Sequence, residues 1–168
     1  DPGQVVTETF TVATTDGGSS TVTITVTGTN DVPVATADAP TTEENTVLNG
    51  TVPAATDVDG TIASYTLVDD VPSGSLSFNA DGSYAFDPGT DFDDLAVGET
   101  REVSFTYTAT DNDTGVSSPA TITITVTGTN DLPVASDATP TTEENTVLNG
   151  TVPAATDVDG TIASYTLV

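Results

Sequence analysis

The chain has 168 residues, with 26 Asp or Glu against one basic residue, Arg101, no His, Cys, Met or Trp, and a formal net charge of -25. Binding nucleic acid needs Lys or Arg to displace condensed counterions, an anionic membrane repels such a chain, and without Cys or His there is no disulfide frame, zinc finger, haem ligation or imidazole acid–base catalyst. What this surface attracts is hard divalent cations that prefer oxygen ligands. No run approaches the roughly 18 apolar residues of a membrane helix, and no signal-peptide pattern stands at the first residues. An acidic, aromatic-poor composition favours disorder. Against that, the 37 Thr fall in register with Val and Ile, which points to strands.

In chain order, the first alternating run is GQVVTETFTVATTDG from Gly3, followed by TVTITVTGTND from Thr21. Asn30–Pro33 ends that alternation with a change of composition and reads as a linker. Glu43 and Glu44 come next, then a predicted strand at Thr46–Val52, the acidic turn Asp57-Val58-Asp59, and a second strand at Thr61–Val68. SLSFNADGSYAFDP reads as a hairpin, with Leu76 and Phe78 before a turn at Asn79–Gly82 and Tyr84 and Phe86 after it. An acidic cluster follows at Asp91, Asp93 and Asp94. Val103, Phe105, Tyr107 and Ala109 then alternate with Ser104, Thr106 and Thr108. After Asp111 and Asp113, Ile122, Ile124 and Val126 alternate with Thr121, Thr123, Thr125 and Thr127. No segment has a helical period. About seven short strands with frequent turn signals predict an all-β immunoglobulin-like sandwich.

The strongest internal signal is recurrence. Thr41 to Val68 returns unchanged as Thr141 to Val168, and TVTITVTGTNDVPVA from Thr21 returns as TITITVTGTNDLPVA from Thr121. An offset of 100 residues is too long for a solenoid rung and has the length of a domain, so the chain reads as domains in tandem. With linkers at Asn30–Pro33 and Asn130–Pro133, residues 31–130 are one complete repeat. Residues 1–30 are the C-terminal part of a preceding repeat, because GQVVTETFTVATTDG aligns with GETREVSFTYTATDN from Gly98, with a shorter loop after it. Residues 131–168 are the N-terminal part of a following repeat.

The acidic residues collect in turns and linkers. Alternate spacing, as in Asp57-Val58-Asp59, lets two carboxylates in a bent loop converge on one ion, and calcium takes 6–8 oxygens, so several clusters must meet. The competing reading is turn chemistry alone, which is preferred for Asp81-Gly82. An EF-hand is rejected, because Val68 and Ile122 stand where such a loop, begun at Asp57 or Asp111, needs its twelfth-position Glu.

The motifs EEN at Glu43, ATDVDG at Ala55, TATDND at Thr108 and TITITVTGTNDLPV ending at Val134 make the unit resemble bacterial cadherin-like repeats, of the VCBS type found in giant RTX biofilm adhesins. The resemblance implies calcium between successive domains. It assigns the ligands to Glu44, to the linker residues Asn30 with Asp31 and Asn130 with Asp131, to the pairs Asp57 with Asp59 and Asp157 with Asp159, and to Asp111, with which Asp113 is grouped. Asp16 matches Asp111 in the first fragment, and Asp93 and Asp94 lie near a further acidic pair. The linker departs from the cadherin pattern, with Gly28 and Gly128 in place of a leading Asp. The first junction lacks the Glu of its preceding repeat, and the second lacks the later Asp of its following repeat.

These readings lead to a non-catalytic extender of a secreted adhesin, on the surface of a Gram-negative bacterium, with calcium stiffening the joints. The expected partners are neighbouring repeats of the same chain, with no nucleic acid, no membrane insertion and no specific homo-oligomer. The half-repeats nevertheless expose unpaired edges that can associate end to end between chains. A carbohydrate- or ice-binding surface is the alternative, resting on the outward Thr of TVTITVTGT. An enzyme is rejected, because no His, Lys or Cys is present to activate a hydroxyl.

Overall fold

The predicted alternation becomes strands wherever a partner strand is at hand. The computed structural model describes all residues, Asp1–Val168. Nine strands are present: β1 Val5–Ala13, β2 Ser19–Thr27, β3 Thr41–Glu43, β4 Leu48–Thr51, β5 Ile62–Asp69, β6 Ser75–Phe78, β7 Ser83–Asp87, β8 Thr100–Asp111 and β9 Ala120–Thr127. The only helical element is a single 3-10 turn at Gly89–Phe92, and no helix is long and apolar enough to cross a membrane.

β3 to β9 form a two-sheet sandwich, with strand orders β3-β9-β8-β5 and β4-β7-β6. Successive strands change sheets between β4 and β5 and again between β7 and β8, as in immunoglobulin-like Greek-key domains. The all-β immunoglobulin-like class predicted from the alternation is the observed one. The β6–β7 hairpin turns where the sequence places it. Gly82 donates its N–H to the Asn79 carbonyl at 2.9 Å, with φ at +85°, and an added Cβ there would meet Val52 and Tyr65.

The period of two sorts the side chains. Val103, Phe105, Tyr107 and Ala109 of β8 and Ile122, Ile124 and Val126 of β9 are buried, while the alternate residues, most of them Thr, face out. Phe105 is 0% exposed and lies edge-on to Tyr84 at 5.2 Å and to Phe78 at 5.9 Å between ring centroids. Each such fully buried large side chain contributes about 1.5–3 kcal/mol. Tyr107 buries its ring and donates its hydroxyl to the Thr36 carbonyl at 2.7 Å.

Three features were not evident in the alternation. β3 is a short parallel partner of β9, with Thr41 opposite Thr125 and Glu43 opposite Thr127. The strand expected over Thr46–Val52 is confined to Leu48–Thr51, where β7 supplies the ladder. The sole cation, Arg101, fastens the 89–94 stretch to β8. Its guanidinium donates to Asp94 at 2.8 Å and to the Asp91 carbonyl at 3.1 Å, and it lies 5.6 Å from the centre of the Phe92 ring.

Outside the sandwich, β1 and β2 form a two-stranded sheet of their own. Val5 pairs with Thr27 and Phe10 with Val22, the same register in which Thr100 pairs with Thr127 and Phe105 with Ile122. Residues 131–168 form no strand, only an isolated bridge between Val134 and Thr156.

Candidate metal centre

Two places gather the acidic residues, one at each end of the sandwich. At the first, the turn between β4 and β5 and the loop between β8 and β9 face the linker. Asp57 Oδ1 accepts the N–H groups of Asp59 and Gly60 at 3.1 and 3.0 Å, which closes the acidic turn on itself. Asp111 Oδ1 does the same for Asp113 and Gly115, both at 2.8 Å. The linker then locks on: Asn30 donates its side-chain amide to Asp111 Oδ2 at 2.9 Å, and Asp31 donates its N–H to Asp59 Oδ1 at 3.2 Å.

Glycine keeps this cradle open. A Cβ at Gly115 would strike Asp111 Oδ2 and come within 2.6 Å of the Asn30 amide nitrogen. One at Gly60 would stand 2.8 Å from Asn112 Oδ1 and 3.3 Å from Asp57 Oδ2. Asp111 is 2% exposed. Its carboxyl is held below the ordinary carboxylate range, chiefly by the Asn30 amide, with the Gly115 and Asp113 N–H groups and Asp57 adding to the effect and burial opposing it. Two carboxylates thus sit side by side with one of them strongly favoured as the anion.

At the other end, Glu44 is buried at 1% exposure just after β3. Its Oε1 accepts the Thr129 N–H at 2.6 Å and the Thr129 hydroxyl at 3.0 Å. Asp131 follows in the linker, and its carboxyl is pushed above the ordinary range, first by burial and then by the negative charges of Asp93, Glu44 and Asp159. That shift shows four carboxylates close enough to repel. Asn130 turns its amide to the Asp131 carbonyl at 2.6 Å.

Seven buried side-chain oxygens lack any hydrogen-bond partner: Asn30 Oδ1, Asp57 Oδ2 and Asp59 Oδ2 at the first junction, and Glu44 Oε2, Asp131 Oδ2, Asp157 Oδ1 and Asp159 Oδ1 at the second. Asp59 Oδ2 has only the Asp1 ammonium, 3.9 Å away. Buried polar atoms are nearly always paired, and leaving one unpaired costs about 1–3 kcal/mol, more for a charged group. No three acidic side chains by themselves surround a point that a metal could occupy. The oxygens gathered at each junction are a mixed set, in which carboxylates lie beside an Asn amide and the linker backbone.

Acidic turns elsewhere behave differently. Asp81 Oδ1 is satisfied by the Ser83 N–H and hydroxyl at 2.9 and 2.6 Å, Asp87 by Gly89, Asp91 by Gly74, and Asp94 by Arg101. Asp113 belongs with these, since its exposed carboxylate accepts from the Asn112 amide at 2.6 Å, while its N–H supports Asp111. Asp31 is exposed and reaches the junction through its backbone N–H, and Asn130 is exposed as well.

Sequence reasoning passed over Thr129, which fixes Glu44 through two hydrogen bonds, and Asn112, whose Oδ1 accepts from Thr61 N–H at 2.7 Å and ties the two acidic loops together. It treated Asp93 as a loose match, whereas the structure sets that charge against Asp131. The signal for Thr129 was available in the TGTN context, where a hydroxyl stands directly before the linker Asn.

No curated protein matches the chain. The sandwich with its acidic loops at the two ends does match a family model, that of the bacterial cadherin-like domain, over residues 30–128. Cadherin-like domains are non-catalytic adhesion modules of extracellular proteins, and a sandwich whose carboxylates collect at its two ends, away from any cleft, agrees with that. By this match over more than half its length, the chain belongs to the bacterial cadherin-like domain family.

Proposed function

We propose that the chain is a calcium-stiffened extender segment of a large secreted adhesin, of the RTX type, that projects a distal binding domain from the surface of a Gram-negative bacterium for attachment and biofilm formation. The observation that carries this reading is the placement of the orphaned oxygens. Every buried side-chain oxygen without a partner belongs to an Asn, Asp or Glu at one of the two junctions. A single divalent cation satisfies several such oxygens at once, and calcium accepts an irregular set of carboxylate, amide and carbonyl ligands that magnesium does not.

The two junctions are complementary halves of one site. The first offers Asn30, Asp31, Asp57, Asp59 and Asp111, and the second offers Glu44, Asn130, Asp131, Asp157 and Asp159, with Asp93 alongside. Shifted by the repeat length, they merge into a set of Glu, Asn and several Asp drawn from both domains and the linker. Bound calcium neutralises the charge that these groups share and holds the linker to both of its neighbours. Without it, the carboxylates around Asp131 repel one another and the joint loosens.

The test joins two copies of residues 31–130 in tandem, which makes one junction complete. At extracellular-module affinity of about 0.1–1 mM, free calcium at ten to a hundred times Kd adds roughly 1.4–2.7 kcal/mol per site. The expected result is a calcium-dependent rise in melting temperature together with a longer, stiffer particle in small-angle scattering. Glu44→Gln in the first copy keeps an acceptor for Thr129 but removes a ligand charge, so it leaves stability in chelator intact and shrinks the calcium response. Equal melting and equal dimensions with calcium and with chelator would sink the calcium joint.

A further inference from the structure

The two ends of this chain are unlike each other and fit each other. The β1–β2 hairpin repeats the register of β8–β9, including its closing bonds: Gly28 N–H to the Gln4 carbonyl at 2.7 Å mirrors Gly128 N–H to the Glu99 carbonyl at 2.8 Å. In the complete repeat, β9 is flanked by β3 and β8 by β5. The outer edges of β1 and β2 have no such neighbours, and the side chains that face the core in β8 and β9 stand in the open: Phe10 is 50% exposed and Ile24 50%, against 0% for Phe105 and Ile124. At the other end, residues 141–168 carry the sequence of β3, β4 and β5 and form no strand. Leu148, Val152 and Tyr165 line an open hollow of about 630 Å³ there. The complete repeat stands between the two ends.

We propose that residues 141–168 of one copy of this chain pair with the β1–β2 hairpin of a second copy, rebuilding the four-stranded sheet from two halves. The register follows from the complete repeat. Thr141 to Glu143 run parallel to Thr25 to Thr27, as Thr41 to Glu43 run along Thr125 to Thr127. Tyr165 and Leu167 run antiparallel to β1, opposite Thr14 and Val12, as Tyr65 and Leu67 lie opposite Ala109 and Tyr107. Edge pairing satisfies backbone groups that otherwise face water on both sides.

The same exchange completes both half-junctions, a consequence that rests on the cation reading above. Glu144 takes the position of Glu44 and reaches the second copy's Thr29 N–H, beside Asn30, Asp57 and Asp111, which lack a Glu from the preceding repeat. Asp16, aligned with Asp111, comes to the end where Asp157 and Asp159 leave oxygens unpartnered. The contact is head-to-tail and does not close on itself, so it builds open chains. It is also weak. The rebuilt unit has no counterpart of β6 and β7 to cover its inner face, and copies of charge -25 repel unless salt or a cation screens them.

Sedimentation velocity of the full chain at rising concentration tests the pairing. A ladder of dimer, trimer and longer species is expected. Val12→Asp blocks the hairpin end and Leu167→Asp the tail end; both side chains are exposed, at 49% and 103%, so neither change disturbs the sandwich. Each variant alone should stay monomeric, while an equimolar mixture keeps one good hairpin and one good tail and should stop at the dimer. Monomers of the unsubstituted chain at every concentration, a ladder from either variant alone, or a mixture that stays monomeric would each overturn the pairing. The measurement is made in chelator and in calcium. A longer ladder in calcium that Glu144→Gln removes supports the completed junction. Equal ladders in both overturn that completion and count against the calcium joint, while leaving the strand pairing standing.

Discussion

Thr41–Val68 and Thr141–Val168 share every residue, yet the first contributes β3, β4 and β5 while the second contributes no strand. What the two copies keep in common is local. Val34 bridges Thr56 as Val134 bridges Thr156; Ala55 donates its N–H to the Tyr65 hydroxyl at 3.1 Å, as Ala155 does to that of Tyr165 at 2.9 Å. The Thr42 hydroxyl reaches the Thr46 carbonyl, and Thr142 reaches Thr146. What the second copy lacks is supplied from elsewhere in the chain, namely the ladders of β9, β7 and β8 and the Thr129 anchor for its Glu. The β1–β2 hairpin is intermediate. Each strand has one partner, so the strands form, but no second sheet covers them and their apolar side chains stay exposed. A strand is half of a hydrogen-bond ladder, and a ladder buries a core only when another layer covers it.

The largest effect separating these regions comes from removing the cover. Phe105→Ala empties a fully buried site between Phe78 and Tyr84 and costs about 3–5 kcal/mol, read from denaturant unfolding. With it, the 41–68 segment should lose slow amide exchange and behave as 141–168 does. Phe10→Ala, at the aligned position in the hairpin, should leave sandwich stability unchanged. If both cost the same, the contrast between covered and uncovered strands is wrong.

A sharper comparison uses one residue in its two settings. A Cβ at Gly50 would lie 2.6 Å from the Tyr84 ring, whereas at Gly150 nothing lies within 4 Å. Gly50→Ala should therefore destabilise by about 1–3 kcal/mol through overpacking. Gly150→Ala should be neutral, as the same substitution in open space. Melting curves of the two variants decide it, and a cost at Gly150 would show that 141–168 is packed after all.

The smallest effect is in pH dependence and separates the junctions from the rest of the acidic surface. Asp131 titrates above the ordinary carboxylate range, because burial and the charges of Asp93, Glu44 and Asp159 disfavour its anion. Its ionisation therefore opposes folding above that raised value, and the penalty fades as pH falls through it. Asp94 has the opposite sign. Arg101 holds its carboxyl below the ordinary range, so its contribution is present above the unfolded value and is lost as pH falls through the lowered one. NMR titration in chelator should show both shifts. Calcium should lower the Asp131 midpoint, and Arg101→Ala should return that of Asp94 to the ordinary range. Since the Arg101–Asp94 pair is largely exposed, its loss should change stability by at most about 1 kcal/mol.

Much of the sandwich was legible because its signals are local. Ile122, Ile124 and Val126 announce an inward face through a period of two, and Asn79–Gly82 announces a hairpin through turn chemistry. The acidic clusters and the offset of 100 residues were equally plain, since composition and recurrence need no coordinates. β3 was not legible: three residues, TTE, carry no period, and only the free edge of β9 makes them a strand. Nor could the alternation distinguish acids with partners from acids without. Asp81 and Asp57 sit in similar Asp-Gly turns, but Ser83 satisfies the first locally, while the second leaves an oxygen buried against Asn30 and Asp111. The sequence by itself determined which residues could form strands, turns and acidic ends, because those depend on neighbours along the chain. The tertiary structure alone decided which copy of an identical segment became strands and which oxygens were left without donors, because pairing and burial depend on neighbours across it.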